Sequence, residues 1–483
     1  MVIAILQASS AIAGPMVEAG DLALRHDIQR LADAGLITGT ATTWPMAWGP
    51  ILADLANTDS LQISGDIADA LARVRSRGHR ATRAGTPLFR FEAALSDNPV
   101  RIRSFQDTPR GDAEVAAGMQ WLGERFSFDL DVQAVDSEFD DQVWRLDHSM
   151  FAVLLGNWSL AASTKERWWG PSWDGSLILG NSARPFPAFA VDRMFTDAFA
   201  SRWLHWLGPW DLSLLFGQLG DERAVPNTQF FGMRFNFRPL PSLEIGLSRT
   251  ALWCGDGRPC SLGVFFDLLL GKDNLGDDGI DSDNEPGDQL AGFDVRWAPG
   301  FFGHSAALYG QFIGEDEAGG LPSKWLGQVG AEWAGFLFDR WSTRLFAELS
   351  ATSCQFYESS ESFNCAYNHG IYQTGYRYRG ASIGHGADND TRIVSVGLIL
   401  VDADNLQWHA LLRYGKLNRG GPPDEHNTIT ATPKELASID VSHSRTLRFG
   451  AIELGAGYAE LEDGVSGESS GDARFYLQWR SSP

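Results

Sequence analysis

The feature that most constrains the fold is an alternation of apolar and polar side chains that begins near residue 86 and persists toward the C-terminus. It is clearest in FSFDLDVQ (126–133), FFGMRFNFR (230–238) and AGFDVRW (291–297). Successive side chains of a β-strand point to opposite faces, so a period of two predicts strands with one apolar and one polar face. We therefore expect residues 83–483 to form one long series of strands.

Two architectures accommodate such a series: a soluble sandwich or propeller with polar faces outward, and a membrane barrel with polar faces inward. The indoles cluster where predicted strands end, as at Trp203, Trp206 and Trp210. Tight links such as 238–242 alternate with long polar ones such as 272–289. Aromatic girdles and alternating loop lengths are typical of outer-membrane barrels. We therefore expect an all-β fold, a large antiparallel transmembrane barrel of about 16 to 20 strands.

The charge of the chain limits its partners. A formal net charge of −22 argues against a nucleic-acid partner, because phosphate binding relies on clustered Lys and Arg. No apolar run approaches the ~20 residues of a membrane-spanning helix. The membrane contact that we expect is therefore that of a barrel wall with outer-membrane lipid, and we expect the protein to be a monomer.

The first residues resemble the end of an export signal. Residues 1–13 contain a short apolar stretch that ends in Ala11-Ile12-Ala13 and is followed by Gly14. Small residues at these positions are typical of a signal-peptide cleavage site, although the charged n-region is missing. The prediction is a residual signal peptide over 1–13, and the alternative is a hydrophobic N-terminus that frays.

Residues 14–82 show helical rather than strand spacing. Asp21 is placed to cap a first helix and Gly35 to end it. A second short helix fits Pro50–Asn57, and a third begins at Ser64. Helices this short bury little surface alone. We expect them to form a small bundle that docks onto the barrel.

The four cysteines form two close pairs, Cys254 with Cys260 and Cys354 with Cys365. Both pairs lie in polar, turn-rich stretches that we expect to be loops. With an export signal, two disulfides that pin these loops are favoured. The alternative is zinc binding, but the C-x2-C spacing and nearby His pairs are missing.

No catalytic constellation is present in the sequence. The formal G-x-S-x-G match at 467–471 lies between two predicted strands, whereas a nucleophile elbow requires a strand, a turn and a helix. The acidic stretch 273–289 has oxygen ligands suited to calcium, but it lacks the EF-hand order and is expected to be a solvated loop. We predict neither an enzyme nor a resident metal or cofactor.

Three stretches carry a resemblance to a known family. They are VEAGDLALRHDIQRLADAGLITG (17–39), TTWPMAW (42–48) and, most specifically, RWWGPSWDGSLILGNSARPFP (167–187). With them the chain resembles the Wzi-type outer-membrane capsule-assembly proteins, which are surface lectins of Gram-negative bacteria. The resemblance implies an 18-stranded barrel with a periplasmic helical plug. It also implies an outer face that binds capsular polysaccharide and helps to organise the capsule.

The tryptophan-rich stretch has two interpretations. In the first, indole faces stack on sugars while polar groups hydrogen-bond hydroxyls or a uronate. The residues concerned are Trp168, Trp169, Trp173, Asp174, Asn181 and Arg184. In the second, which we favour, the same stretch is a brace in the rim or lumen, with its indoles bonded to backbone and Arg184 paired with Asp174.

A second group of candidate sugar-binding residues lies within or just after the Cys354–Cys365 loop. The group consists of Tyr357, Tyr367, Tyr372, Tyr376 and Tyr378 with Arg377 and Arg379. Such residues can stack on sugars and pair with uronates, and packing within the loop is an equally weighted alternative.

The rival hypothesis is an outer-membrane porin for oligosaccharides. Its support is that Arg234, Arg238 and Arg296 fall on the polar faces of predicted strands and are placed to line a polar path. The predicted helical N-terminus weighs against it, because a plug blocks conduction.

Overall fold

A computed structural model describes residues 15–58, 63, 65–269, 287–300, 305–318, 321–420 and 426–481. The predicted signal peptide (1–13) lies outside these residues, as does most of the acidic stretch 273–289. The boundaries that we predict between signal peptide, helical bundle and barrel therefore stay predictions.

Four α-helices are described: α1 Leu22–Asp33, α2 Trp48–Ala56, α3 Asp66–Ala81 and α4 Leu262–Leu269. The first begins where the sequence predicts, because the Asp21 carboxylate accepts a hydrogen bond from the backbone N–H of Leu24 at 2.9 Å. It ends before Gly35, whose φ of +75° is one that glycine adopts without strain. Helices α2 and α3 confirm the other two predicted helices, and α4 was not predicted.

Eighteen strands form one closed antiparallel barrel, the number that the family resemblance implies. The barrel strands are β1 Leu88–Asp97, β2 Ala113–Leu122, β3 Phe126–Asp136, β4 Met150–Leu155, β5 Trp158–Ser163, β6 Ala188–Arg193, β7 Trp210–Gln218, β8 Gln229–Leu240, β9 Leu243–Trp253, β10 Gly287–Trp297, β11 Ser305–Ala318, β12 Leu321–Leu337, β13 Trp341–Ala351, β14 Arg392–Val401, β15 Gln407–Leu417, β16 Lys434–Leu447, β17 Gly450–Asp463 and β18 Ser469–Arg480. The seam joins β18 to β1, from Phe475 opposite Asp97 to Arg480 opposite Glu92.

Two-residue strands add short pairings to this barrel. Trp144–Arg145 extends the edge of β3 next to β4. Inside the barrel, Thr43–Trp44 pairs with Trp168–Trp169, and Met16–Val17 pairs with Met46–Ala47. In the outer loops, Arg377–Tyr378 pairs with Ala381–Ser382.

The wall of the barrel has its polar face inside, which decides between the two predicted architectures. In β8 the side chains of Arg234, Asn236 and Arg238 are buried, while Met233 and Phe235 point outward and are partly exposed. An apolar belt around a polar interior is the pattern of a membrane barrel. Among the described helices, none is long and apolar enough to cross a membrane.

The two rims differ in loop length. Short turns such as 123–125, 156–157 and 448–449 close one rim, and long loops such as 98–112, 164–187 and 352–391 close the other. Outer-membrane barrels have short periplasmic turns and long extracellular loops. We refer to the two ends as the periplasmic and the outer rim.

The helices occupy the periplasmic half of the lumen and leave a cavity of about 580 Å³ between α3 and the strands β1 and β2. Ile28 and Leu31 of α1 are fully buried, and the ring of His26 hydrogen-bonds the Ser342 hydroxyl on β13 at 2.8 Å. Arg296 on β10 donates to the Asp33 carboxylate at 2.7 Å, and Arg73 on α3 donates to the Asp402 carbonyl at 2.8 Å. The bundle is therefore held to the inner wall by buried polar contacts.

Both predicted disulfides are present. Cys254–Cys260 lies in the loop between β9 and α4, and Cys354–Cys365 closes a loop after β13. Helix α4 follows the first disulfide and packs on the outside of the wall, where Phe265 contacts Phe231 at a ring-centroid distance of 5.2 Å.

Candidate functional site

The tryptophan-rich stretch turns into the barrel instead of outward. Trp168 and Trp169 form a two-residue strand opposite Trp44 and Thr43, so the two most specific sequence stretches pair with each other. Gly170 follows with a φ of +134°, which residues with a side chain rarely adopt. Trp168, Trp169 and Trp173 are each exposed by 1% or less. Their ring faces are covered by protein, as the brace interpretation expects, and none is presented to a polysaccharide in this structure. The expected hydrogen bonds from the indoles to backbone are wrong, because the N–H groups of Trp168 and Trp169 have no partner among the described residues and that of Trp173 donates to a carboxylate.

Trp173 lies at the centre of the lumen, where the outer loops meet the helical bundle. Its indole N–H donates to the Glu332 carboxylate at 2.6 Å. The guanidinium of Arg25, from α1, lies 4.2 Å from the Trp173 ring and 4.3 Å from the ring of Phe105. Arg25 also donates to the Pro171 carbonyl at 2.8 Å. The loops 98–112 and 164–187 therefore close the lumen directly above the helices.

The polar members of the motif have other partners than the sequence suggested. Asp174 is paired with Arg413 on β15 at 2.6 Å, and Arg184 is paired with Asp147 at 2.8 Å. The expected Asp174–Arg184 pair is therefore wrong, because Asp174 faces the wall strand β15 and Arg184 faces the loop 137–149. Asn181 is buried and donates to the Phe105 carbonyl at 3.0 Å.

The tyrosines that follow the Cys354–Cys365 loop are mostly structural. Tyr367, Tyr372 and Tyr376 are buried to 1% exposure or less. Their hydroxyls donate to the carbonyls of Leu177 (2.7 Å), Cys254 (3.1 Å) and Ile178 (2.7 Å), respectively. These bonds fasten the loop 366–391 to the tryptophan-rich stretch and to the first disulfide loop.

Arg377 belongs to the same buried framework. It makes two hydrogen bonds to the Asp388 carboxylate, at 2.7 and 2.9 Å, and both side chains are at most 2% exposed. Tyr357, in contrast, is 61% exposed, and Arg379 keeps part of its side chain in solvent. Of the second predicted group, Tyr357 and Arg379 with the half-buried Tyr378 thus lie where a polysaccharide can reach them.

A buried histidine makes this outer framework sensitive to pH. Burial lowers the pKa of His385 to about 4, and its Nδ1 accepts a hydrogen bond from the Ala387 N–H at 3.1 Å. An unfolded histidine has a pKa near 6.5, so the stability that His385 contributes is complete above about pH 6.5 and is lost as the pH falls toward 4. We expect loop 366–391 to lose hydrogen-exchange protection over this window, by roughly 3 kcal/mol at most. A His385→Gln variant should flatten that dependence, and an unchanged pH profile would contradict the assignment.

Three aromatic rings on the outer rim lie beside guanidinium groups. Arg101 lies 4.6 Å from the Phe139 ring, Arg419 5.3 Å from Phe363, and Arg379 6.0 Å from Tyr378. Phe139 is 45% exposed and Phe363 is 38% exposed. Arg101, Phe139, Phe363 and Arg419 were not predicted from the sequence. The sequence signal that could have indicated Phe139 or Phe363 is an isolated aromatic residue in a long polar loop.

The arginines of the porin hypothesis hold the plug in place. Arg234 pairs with Asp294 at 2.5 Å and donates to the Thr43 hydroxyl at 2.9 Å. Arg238 donates to the carbonyls of Ile37 and Gly39, and Arg296 pairs with Asp33 of α1. All three are buried, so they do not line an open path.

The described residues contain no group of three or more His, Cys, Asp or Glu side chains arranged to hold a metal ion. The formal G-x-S-x-G match falls in the turn between β17 and β18, with Gly467 at a φ of +70° and Ser469 at the start of β18. This context lacks the helix of a nucleophile elbow.

A closed 18-stranded barrel with a polar interior, an apolar outer belt and an occluded lumen defines an outer-membrane β-barrel protein. The chain belongs to the family of the capsule assembly protein Wzi, whose family model matches residues 92–462. The family resemblance that the sequence suggested is thereby confirmed.

Two relatives extend this assignment. The solved structure of Wzi from Escherichia coli, an outer membrane protein involved in Group 1 capsule assembly and described as a carbohydrate-binding β-barrel, superimposes with a TM-score of 0.81. The two chains are 27% identical, and the match covers 96% of this chain and 98% of that one. An uncharacterized 55.8 kDa protein of the cps region of Klebsiella pneumoniae is 34% identical over 322 residues, which are 66% of this chain and 61% of that protein.

Proposed function

We propose that this protein is a non-enzymatic lectin of the outer membrane that binds capsular or extracellular polysaccharide and helps to attach or organise it at the cell surface. The observation that carries the proposal is a set of aromatic rings with adjacent guanidinium groups on the outer rim: the exposed Phe139 and Phe363 and the half-buried Tyr378. Ring faces accept the C–H surfaces of sugars, and guanidinium groups donate to hydroxyls and acids. The carbohydrate binding described for Escherichia coli Wzi supports the same function.

The outer loops are suited to this role because they are held rigidly. Tyr372 connects the loop after the second disulfide to the first disulfide loop. Glu361 accepts hydrogen bonds from Arg392 at 2.7 Å and from Arg419 at 2.6 Å, which ties the second disulfide loop to the neighbouring strands. A preorganised surface loses little conformational entropy on binding.

The porin alternative has weaker support. The helical bundle and the inward-turned loops meet at Arg25 and Trp173, and the lumen arginines are engaged by the plug. A lumen obstructed by these contacts disfavours diffusion of oligosaccharides. We further propose that the protein acts as a monomer, because its described strands close into a barrel by themselves and need no strand from a second copy.

The test is retention of the purified, detergent-solubilised protein on capsular polysaccharide from its own host. We expect retention by the unaltered protein and roughly tenfold weaker binding by a Phe139→Ala, Phe363→Ala double variant, because each lost ring removes about 0.5–1.5 kcal/mol of contact energy. The matched control is Phe338→Ala, which removes an 89% exposed phenylalanine in the turn 338–340 at the periplasmic rim.

The same preparation is examined in planar bilayers. We expect no steady conductance from the lectin. Absence of retention together with stable ion conductance would overturn the proposal in favour of the porin. If the Phe338→Ala control weakened polysaccharide binding equally, the assignment of binding to the outer rim would be wrong.

A further inference from the structure

A small pocket of about 80 Å³ opens on the outer rim, between loop 98–112, loop 137–149 and the residues around Ser382. Six arginines line it: Arg101, Arg103, Arg110, Arg145, Arg184 and Arg379. Asp140 is the one acidic residue among its lining. Such a concentration of positive charge stands out in a chain whose net charge is −22.

Carboxylates pair with five of the six guanidinium groups. The pairs are Arg103 with Asp107, Arg110 with Glu166, Arg145 with Asp140, Arg184 with Asp147 and Arg379 with Glu222, at 2.6 to 3.6 Å. Arg101 differs, because in the described part of the chain it contacts the Thr428 carbonyl and the Phe139 ring but no carboxylate. Among the described residues, Arg101 is therefore the guanidinium of this pocket that is charged without an ionic partner.

Several buried polar atoms of the lining residues also have no hydrogen-bond partner among the residues described. They are Nε of Arg103, Nη2 of Arg145, Nε of Arg379 and Oγ of Ser382. Buried polar groups are normally satisfied, and exceptions call for an explanation. Four such atoms on residues that line one pocket indicate that the pocket is built to receive hydrogen-bond acceptors.

The pKa values of these arginines divide into two groups. The pKa of Arg110, Arg184 and Arg379 is raised, because hydrogen bonds and nearby negative charges outweigh burial. Burial lowers the pKa of Arg101. Burial, followed by the positive charge of Arg110, lowers that of Arg103 to about 10, and burial with the charge of Arg184 lowers that of Arg145. An anion in the pocket would relieve this mutual repulsion of desolvated cations.

We propose that this pocket binds an anionic sugar residue, recognising its carboxylate or phosphate through Arg101 and Arg379 and its ring through the exposed surface of Phe139. Guanidinium forks match both acids with two parallel hydrogen bonds, and an aromatic ring beside them suits a sugar. The inference rests on the proposed lectin function, to which it adds the chemical class of the recognised residue.

The test titrates the detergent-solubilised full chain with three probes: trigalacturonate, glucose 6-phosphate and neutral maltotriose. We expect an acidic probe to bind and maltotriose not to bind. An Arg101→Gln, Arg379→Gln double variant should bind the acidic probe roughly 10- to 100-fold more weakly, since hydrogen bonds to charged groups contribute more than neutral ones. Arg101→Lys keeps the positive charge but lacks the guanidinium fork. Its affinity for the acidic probe should lie between those of the unaltered protein and the double variant.

The matched control is Lys416→Gln, which removes one positive charge near the outer end of β15 at a 62% exposed side chain outside the pocket. We expect it to bind the acidic probe within about twofold of the unaltered protein, whereas equal weakening would mean that general surface charge, not the pocket, attracts the anion. The relative affinities for trigalacturonate and glucose 6-phosphate identify which acid the pocket prefers.

Native and carboxyl-reduced capsular polysaccharide separate the two proposals. Retention of both forms with no binding of either acidic probe would overturn the pocket inference and leave the lectin intact. Binding of an acidic probe that depends on Arg101 and Arg379, without retention of any polysaccharide, would overturn the lectin proposal. The pocket would then be an anion site with a different role.

Discussion

Replacement of Trp173 by alanine is expected to lower the free energy of unfolding by roughly 3–5 kcal/mol, the largest effect that we expect from a single truncation. The indole is 1% exposed and fills the junction between helix α1, the inward loops and the wall. Its removal leaves a cavity, takes a ring away from the Arg25 guanidinium and deprives Glu332 of a hydrogen-bond donor. Each of these three losses lowers the free energy of unfolding.

The measurement is denaturant unfolding of the protein in detergent, followed by tryptophan fluorescence. Trp173→Phe should recover much of the loss, because it restores an aromatic ring and lacks only the N–H donor to Glu332. The control is Trp408→Ala on β15, where a tryptophan is 42% exposed on the wall. A smaller loss for Trp173→Ala than for Trp408→Ala would contradict the role of Trp173 as the central brace.

Replacement of Arg377 by leucine is expected to lower the stability of loop 366–391 by about 3–5 kcal/mol and to detach the loop. The reason is that the variant leaves the fully buried Asp388 carboxylate without its positively charged partner. Burial alone would raise the pKa of Asp388, and Arg377 lowers it. The variant should therefore become more stable, relative to the unaltered protein, as the pH falls and Asp388 takes up a proton. Hydrogen exchange of residues 366–391 follows the detachment.

The pairing is tested by a second replacement. Asp388→Asn removes the negative charge, so the Arg377→Leu, Asp388→Asn double variant should be less destabilised than the sum of the two single changes. Strictly additive losses would indicate that the two side chains act independently. Loss of polysaccharide binding in Arg377→Leu alone would report a collapsed loop, not a lost sugar contact.

The wall of this protein could be predicted from the sequence because each strand carries its own signal. The alternation around Arg234 and Arg296 placed those residues on the polar face, and that face is the inner one. Closely spaced cysteines similarly predicted both disulfides. Helix α4 was missed because eight residues with several apolar side chains fit a strand as well as a helix.

The candidate site was harder to predict, because the same residue types serve a sugar site and a buried brace. Trp168 and Arg377 are residue types of a lectin surface, yet both are buried. The loop of Trp168 turns back into the lumen, and Arg377 is paired with Asp388 within the outer loops. Arg101 and Arg379 are far apart in sequence and come together only when the barrel closes. A contact that forms only when the barrel closes leaves no pattern in either of the two stretches of sequence.

The seam between β18 and β1 has a consequence for how the chain folds. The barrel cannot close until its last strand is available, yet helix α1, near the beginning of the chain, contacts Arg296 and Ser342 in the middle of the wall. The helices therefore dock onto strands that lie far from them along the chain. Contacts between such distant positions make folding slow. Docking of the N-terminal segment onto the wall is thus expected to be a slow step in the folding of this protein.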